Sequence, residues 1–126
     1  MNTEKKTILI ADDEPSILDA LYEALSEDYE VILAGNGREA FDFFVANQSR
    51  IKAVITDLVM PELYGDKLIE QIHAIDADMP VILMTGFEKE VDVPSLVKRL
   101  GGMFVKKPFD IFEFAKLVRG LTADAS

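Results

Sequence analysis

Residues 53–61, near the middle of the chain, read Ala53-Val54-Ile55-Thr56-Asp57-Leu58-Val59-Met60-Pro61. Four uncharged residues, two of them β-branched aliphatics and one a threonine, lead directly into an aspartate, which predicts a short buried strand ending at Asp57. Pro61 cannot continue a strand and drives Met60 towards an extended or turn geometry, so the chain must leave the sheet just after the carboxylate. We therefore expect Asp57 to lie at a sheet edge that faces solvent.

Four more runs of mostly aliphatic residues predict strands on either side of this one. They cover residues 7–11, 29–34, 81–84 and 103–106. The run at 29–34 is more polar than the others, which favours a position at the edge of the sheet.

Apolar residues recur at helical spacing in the segments between these runs. Four helices are predicted in this way, around Ile17, Leu21 and Leu25, then Ala40, Phe41, Phe44 and Val45, then Leu68, Ile72 and Ile75, and last Ile111, Phe114, Leu117, Val118 and Leu121. Asp110 and Glu113 have the spacing of a capping box before the last helix. The segment 87–102 is the least regular, because Pro94 interrupts it; a short helix over residues 95–100, stopped by two glycines, is the most it predicts.

Strands that alternate with helices predict a single α/β domain over residues 1–126, with a parallel sheet covered on both faces. Right-handed crossovers place the carboxyl ends of all strands at one edge, where open α/β folds bind ligands. The predicted strand ends at that edge carry Asp12-Asp13, Asp57, Thr85 and Lys107.

Charge and composition exclude several classes of function. The chain has 23 acidic and 13 basic residues and a formal net charge of −10, which argues against direct binding of nucleic acid or of an anionic membrane. It has no signal-peptide core and no apolar run long enough to span a membrane. It also has no cysteine, which is compatible with a reducing cytosol.

The side chains predicted at the sheet edge suggest chemistry on a phosphoryl group. Three carboxylates repel one another and recruit a cation, and oxygen ligands without nearby His or Cys suit Mg²⁺ or Mn²⁺. Lys107 can reach the same anion, and the Thr85 hydroxyl can donate a hydrogen bond to it. Asp57, between a metal ion and a lysine, is placed to attack phosphorus as a nucleophile.

The same residues also have a purely structural interpretation. Acidic residues after a strand often cap the next helix, so Asp12 and Asp13 can be simple caps. Thr85 alone is typical of a turn, and Lys107 alone of a solvated charge. Their coincidence at the predicted strand ends favours the functional interpretation.

Four motifs, taken in order, resemble the receiver domain of two-component response regulators. They are Asp12-Asp13-Glu14, residues 57–61 together with Gly65, Thr85-Gly86, and Lys107-Pro108-Phe109, and the likeness covers about residues 7–121. The resemblance implies a flavodoxin-like, doubly wound (βα)5 domain with strand order 2-1-3-4-5 and a cis Lys107-Pro108 bond. It also implies a cytoplasmic signalling switch that catalyses only its own phosphorylation and dephosphorylation.

The resemblance further implies a role for each site residue. Asp57 is the phosphoacceptor, and Asp12, Asp13, Asp57 and the Val59 carbonyl bind Mg²⁺ directly or through water. A histidine kinase or a histidine phosphotransfer protein donates the phosphoryl group, which Lys107 and Thr85 then contact.

A conformational switch is part of the same resemblance. The phosphoryl group draws Thr85 inward, and an aromatic side chain on the fifth strand turns into the vacated space. Phe104 is the matching aromatic; an ordinary half-buried strand residue is the alternative interpretation. The chain departs from the family pattern before the fifth strand, where residues 101–104 are one residue short. Together with Pro94, this leaves a regular fourth helix in doubt.

Two apolar residues near the predicted site bear on how long a phosphoryl group would survive. Val59 and Phe87, each two residues after a site residue, would flank the path of an attacking water, so slow self-dephosphorylation is expected. His73, the only histidine, is interpreted as a surface residue without a role in phosphotransfer.

Two other functions compete with the switch. Phosphatases of the haloacid dehalogenase type also use a strand-end Asp, a Lys and Mg²⁺, but they need a second acid where this chain has Val59. A receiver-like adaptor that binds proteins without being phosphorylated remains the alternative. The downstream target, the cognate kinase and the presence of further domains are not predicted.

Overall fold

The computed structural model describes residues 5–86 and 92–123. Within them, strands alternate with helices as the sequence predicts. In chain order the elements are β1 (Lys6–Ala11), α1 (Pro15–Leu25), β2 (Tyr29–Ala34), α2 (Gly37–Ala46), β3 (Ile51–Asp57), α3 (Gly65–Ile75), β4 (Val81–Thr85), α4 (Val93–Leu100), β5 (Met103–Lys106) and α5 (Ile111–Thr122).

The five strands form one parallel sheet in the order β2-β1-β3-β4-β5. This is the predicted order, and the more polar β2 does lie at an edge. β3 is central, and all its residues except Lys52 are buried. A strand covered on both faces needs a continuous apolar run, which explains why residues 53–56 lack alternation between polar and apolar side chains.

Two apolar layers enclose the sheet. Leu9 and Leu83 point to the face covered by α2, α3 and α4, where Phe44 is fully buried. Ile10 and Ile82 point to the other face, covered by α1 and α5, where Phe114 is fully buried. Because every strand is followed by a helix that returns across one face, all strand carboxyl ends share an edge.

The fourth helix is regular, so the doubt raised by Pro94 was wrong. Pro94 is the second residue of α4, where its missing N–H leaves no intrahelical hydrogen bond unmade. Asp92 precedes the helix and accepts hydrogen bonds from the Ser95 backbone N–H (3.3 Å) and hydroxyl (2.7 Å). Gly101 and Gly102 then adopt φ values of 67° and 76°, which end α4 as predicted.

A buried polar cluster holds the end of α5 at the opposite edge of the sheet. The Tyr29 hydroxyl, at the start of β2, lies 2.6 Å from the hydroxyl of Thr122, the last residue of α5. The Lys6 ammonium donates to the Thr122 backbone carbonyl. The carboxyl end of α5 is therefore fixed at the amino ends of β1 and β2.

In the part of the chain that the structure describes, none of the helices has the length and apolar character that a membrane span requires.

Candidate functional site

Backbone hydrogen bonds beyond the strand ends hold the predicted site residues in place. The Asp12 N–H donates to the Ala34 carbonyl (3.1 Å), and the Lys107 N–H donates to the Thr85 carbonyl (2.6 Å). Asp57 is the last residue of β3, opposite Met84 of β4. Strand pairing thus brings Asp12, Asp57, Thr85 and Lys107 to one edge, as the sequence predicts.

The Lys107 ammonium lies among three carboxylates. Its Nζ is 2.9 Å from Asp12 Oδ2, 3.2 Å from Asp57 Oδ1 and 3.2 Å from Glu14 Oε1. The Lys107 side chain is only 15% exposed. The interpretation of Lys107 as a solvated surface charge is therefore wrong, because most of its side chain is buried and its charge is paired.

Three carboxylates form an acidic cluster beside this lysine. Oxygens of Asp12, Asp13 and Asp57 all lie within 4.8 Å of one another. Asp12 and Asp57 are buried, at 0% and 5% exposure, whereas Asp13 is exposed. Oxygen ligands that converge from two buried side chains and one open side suit a hard divalent cation that keeps some of its water. The residues present therefore fit the predicted Mg²⁺ site.

Burial and neighbouring charges shift the pKa values of these groups away from their ordinary values. Burial and the neighbouring Asp12 charge raise the pKa of Asp57 to about 6, against the opposing effect of Lys107. Burial also raises the pKa of Asp12, although its hydrogen bond with Lys107 acts in the opposite direction. Burial alone would lower the pKa of Lys107, but the hydrogen bond and charge of Asp12 and the charge of Asp57 raise it. A second positive charge would be stabilised here.

The Asp12 carboxylate contacts both the turn before α1 and Lys107. Its Oδ1 accepts a hydrogen bond from the Glu14 N–H at 2.9 Å, which shapes the turn before α1. Its Oδ2 faces Lys107. The residue at the N-cap of α1 is Glu14, whose side chain caps no backbone N–H. The interpretation of Asp12 and Asp13 as simple caps of α1 is therefore wrong, because neither residue is at the N-cap position.

Thr85 and Phe104 lie on the same face of the sheet. Thr85 ends β4 and is buried, and Phe104 of β5 pairs with Leu83, two residues before Thr85. Residues two apart on a strand share a face. Phe104 is half-buried against the apolar layer that includes α4. This packing fits the interpretation of Phe104 as an ordinary half-buried strand residue. Its role in a conformational switch stays a prediction.

Sequence reasoning missed the roles of Glu14 and Gly65. Glu14 reaches Lys107 although its own side chain is 57% exposed. A Cβ on Gly65 would lie 2.1 Å from the Asp57 carbonyl oxygen, and the Gly65 N–H donates to the Leu58 carbonyl at 2.7 Å. Both residues belong to the motifs described above. The ion pair of Glu14 with the distant Lys107, and the close approach of the backbone at Gly65 to that at Asp57, produce no recognisable pattern in the neighbouring residues.

The remaining predictions have mixed outcomes. The Lys107-Pro108 bond is cis, as expected. His73 is half-buried rather than a plain surface residue, and its Nε2 lies 3.0 Å from the Met79 carbonyl. Val59 is 38% exposed beside the site. Phe87 lies outside the described residues.

The sequence comparisons point to one family. The family model described as "Response regulator receiver domain" matches residues 8–119. Sporulation initiation phosphotransferase F of Bacillus subtilis is 33% identical over 114 residues, which cover 89% of this chain and 90% of that protein. Response regulator MprA of Mycolicibacterium vanbaalenii is 31% identical over 121 residues, which cover 90% of this chain and 49% of that protein.

The structural comparison agrees with the sequence comparisons. A response regulator receiver domain protein from Clostridium thermocellum aligns with a TM-score of 0.84 at 30% identity and covers 93% of this chain and 94% of that chain. The chain spans about half the length of some curated relatives, at 49% of the MprA protein and 50% of the probable transcriptional regulator ycf27 of Cyanophora paradoxa.

Proposed function

Because the chain belongs to the family of response regulator receiver domains, we propose that Asp57 accepts a phosphoryl group and that phosphorylation changes the output face of the domain. A receiver domain is a signalling component of a two-component system rather than an enzyme with a separate substrate. The observation that carries the assignment to Asp57 is the convergence of the largely buried Lys107 with the carboxylates of Asp12, Asp13 and Asp57 at the strand ends.

The proposed transfer is a displacement at phosphorus. An ionised Asp57 oxygen forms a bond to the phosphorus atom, while the phosphorus–nitrogen bond of a donor phosphohistidine breaks and its electron pair stays on the imidazole. Asp57 is mostly ionised near neutral pH because its pKa is about 6. Once an Asp57 oxygen is bonded to phosphorus, the carboxylate no longer carries its own negative charge. Lys107 then pairs with the negatively charged phosphoryl oxygens.

A divalent ion would be held by Asp12, Asp13, Asp57 and the Val59 carbonyl. When bound, Mg²⁺, or Mn²⁺ with similar ligands, supplies positive charge next to the phosphoryl oxygens. The raised pKa of Asp57 and the three carboxylates within 4.8 Å support this proposal.

The proposed donor is a histidine kinase or a histidine phosphotransfer protein in the cytoplasm. Family membership supports both the donor class and the location. We assign the response to Thr85 and Phe104, which lie on one face of adjacent strands. Inward movement of Thr85 towards the phosphoryl group would open space for the Phe104 ring.

Intact mass after incubation with acetyl phosphate and Mg²⁺ tests the acceptor. The wild type and Asp78→Asn, which changes an exposed aspartate in the turn after α3, should each gain one phosphoryl group. Asp57→Asn should gain none. Phosphorylation of Asp57→Asn would contradict the assignment. Absence of phosphorylation in all three proteins, with Mg²⁺ still binding, would favour the adaptor that works without phosphorylation.

A further inference from the structure

A groove of about 330 Å³ lies between α4 and the segment that joins β3 to α3. It is lined by four largely apolar side chains and four polar ones, namely Leu58, Val59, Tyr64 and Leu96, with Asp66, Asp92, Ser95 and Arg99. Tyr64 is 56% exposed and Val59 38%. None of the carboxylates of the acidic cluster lines this groove, although the groove borders the proposed metal site at Val59.

The rim of the groove carries net negative charge. The Arg99 guanidinium is already paired, with Nη1 2.8 Å from Glu70 and Nη2 3.5 Å from Asp66. Within residues 5–86 and 92–123, the hydrogen bonds to the Asp92 carboxylate come from the uncharged Ser95 backbone N–H and hydroxyl, which keep the pKa of Asp92 below its usual value. Among the described residues that line the groove, two carboxylates, Asp66 and Asp92, accompany one guanidinium, and Glu70 outside the lining also pairs with Lys67 at 3.5 Å.

We propose that the groove binds a segment of a partner protein that presents one large apolar side chain beside a lysine or arginine. The volume is at the small end for binding pockets and suits a single side chain rather than a whole helix. Leu58 and Leu96 provide the apolar walls, and Asp92 provides the charge that a neighbouring cation would pair with.

Charge across the whole molecule points to the same class of partner. The chain has a net charge of −10, which attracts basic segments and repels acidic ones during encounter. An acidic segment would also bring a second carboxylate next to Asp92. A basic segment is therefore favoured both during the diffusional encounter and in the bound complex, where it can pair with Asp92.

The inference does not depend on phosphorylation, and its test omits Mg²⁺ and phosphoryl donors. Three probes are acetyl-Arg-Phe-Arg-amide, its acidic counterpart acetyl-Glu-Phe-Glu-amide, and acetyl-Arg-Ser-Arg-amide, which lacks the ring. Methyl chemical shifts of Leu58, Val59 and Leu96 report binding at the groove. We expect the first peptide to bind with a dissociation constant of about 1 mM and each of the others about tenfold more weakly.

Two variants locate the binding surface. Asp92→Asn keeps a side chain that caps α4 but removes one exposed charge, and should weaken the basic aromatic peptide about threefold. Tyr64→Ala removes an exposed wall of the groove and should weaken it by a similar factor. The matched control Asp76→Asn, at the other end of α3, should leave the affinity unchanged.

Several results would overturn the proposal. They are equal binding of the acidic peptide, equal binding of the peptide without a ring, shift changes at methyl groups outside the groove, or no binding at about 10 mM peptide. Concentration-dependent shifts at these methyl groups without any peptide would instead identify a second copy of the chain as the occupant.

Discussion

At the level of single residues, Lys107 pairs with the two buried carboxylates of the acidic cluster, those of Asp12 and Asp57. Its ammonium compensates only part of the charge around it, because Asp12, Asp57 and Glu14 all lie within 3.2 Å of Nζ. Burial, together with the Asp12 charge, makes Asp57 costly to ionise in the folded protein, and its pKa stays at about 6 despite the contact with Lys107. The burial and the neighbouring negative charge that would favour a bound cation reduce the stability of the fold when no cation is present.

The first prediction concerns the free-energy cost of ionising Asp57 in the folded protein. The folded-state pKa of Asp57 is raised from 3.8 to about 6, so its contribution to stability is fully present below 3.8 and lost as the pH rises through 6. Without divalent ions at about pH 7.5, Asp57→Asn should raise the free energy of unfolding by about 1–3 kcal/mol. Urea denaturation measures the change, which should shrink at about pH 5.5.

The control for this effect is Asp78→Asn, which changes an exposed carboxylate away from the site. It should leave the free energy of unfolding unchanged within about 0.5 kcal/mol. If Asp57→Asn were instead less stable than the wild type, the loss of the ion pair between Lys107 and Asp57 would outweigh the removal of the repulsion between Asp57 and Asp12.

The second prediction concerns the lifetime of phosphorylated Asp57. Val59 and Phe87 offer no polar group to orient an attacking water, so the phosphoryl group should persist for minutes or longer. Phe87→Ala should open the path and speed its loss by more than about twofold. Intact mass, followed over time after the donor is removed, gives both rates. A wild-type lifetime of seconds would contradict the prediction.

At the level of elements, the junction between β3 and α3 depends on one missing side chain. Gly65 allows the first turn of α3 to lie against the Asp57 carbonyl, and a Cβ there would approach it to 2.1 Å. Backbone atoms cannot yield as a flexible side chain can. The position of Asp57 is therefore coupled to the residue that begins α3.

The third prediction is that Gly65→Ala is strongly destabilising. It should lower the free energy of unfolding by about 1–3 kcal/mol and slow phosphorylation by acetyl phosphate, because β3 and α3 must separate. The control is Gly120→Ala in α5, where a Cβ would meet nothing within 4 Å. That variant should gain about 0.5–1 kcal/mol from helix propensity. Equal effects of the two substitutions would mean that the close approach at Gly65 is unimportant.

Local patterns predicted most elements, and the exception is informative. The strands follow from uncharged runs, and α5 follows from its apolar spacing and from Asp110, which accepts hydrogen bonds from the Phe112 and Glu113 N–H groups. Pro94 argues against a regular α4 only if it is assumed to lie inside the helix, whereas it is the second residue of α4. Asp92 two residues earlier was the missing signal, since a capping aspartate followed by a proline begins a helix.

Contacts between distant residues could not be predicted in the same way. Parallel topology was enough to place Asp12, Asp57 and Lys107 at one edge. The reach of Glu14 to Lys107, and of Arg99 to Asp66 and Glu70, depends on side-chain geometry that the order of residues does not specify.

At the level of the whole molecule, net charge and the acidic cluster act together. A chain with a charge of −10 repels itself, and any cation reduces this repulsion. Only a specifically bound ion stabilises the fold by mass action beyond the general effect of salt. The two contributions can be separated by comparing Mg²⁺ with a monovalent salt.

The fourth prediction makes that comparison. About 10 mM Mg²⁺ should raise the melting temperature more than NaCl at equal ionic strength. Asp13→Asn should lose most of the difference and keep the effect of NaCl, because Asp13 is exposed and its removal leaves the core intact. Thermal denaturation followed by circular dichroism measures both. Equal effects of the two salts on the wild type would argue against a specific site.

The anchoring of α5 by Tyr29 and Thr122 has a mechanical consequence. Any polypeptide that continued beyond α5 would begin at the amino ends of the strands, while Asp57 lies at the carboxyl end of a seven-residue strand. Seven residues of strand span about 23 Å. Asp57 and the start of any such segment therefore lie at opposite ends of the sheet, and we expect the proposed phosphorylation to reach that segment through small movements of the strands and helices that connect the two ends.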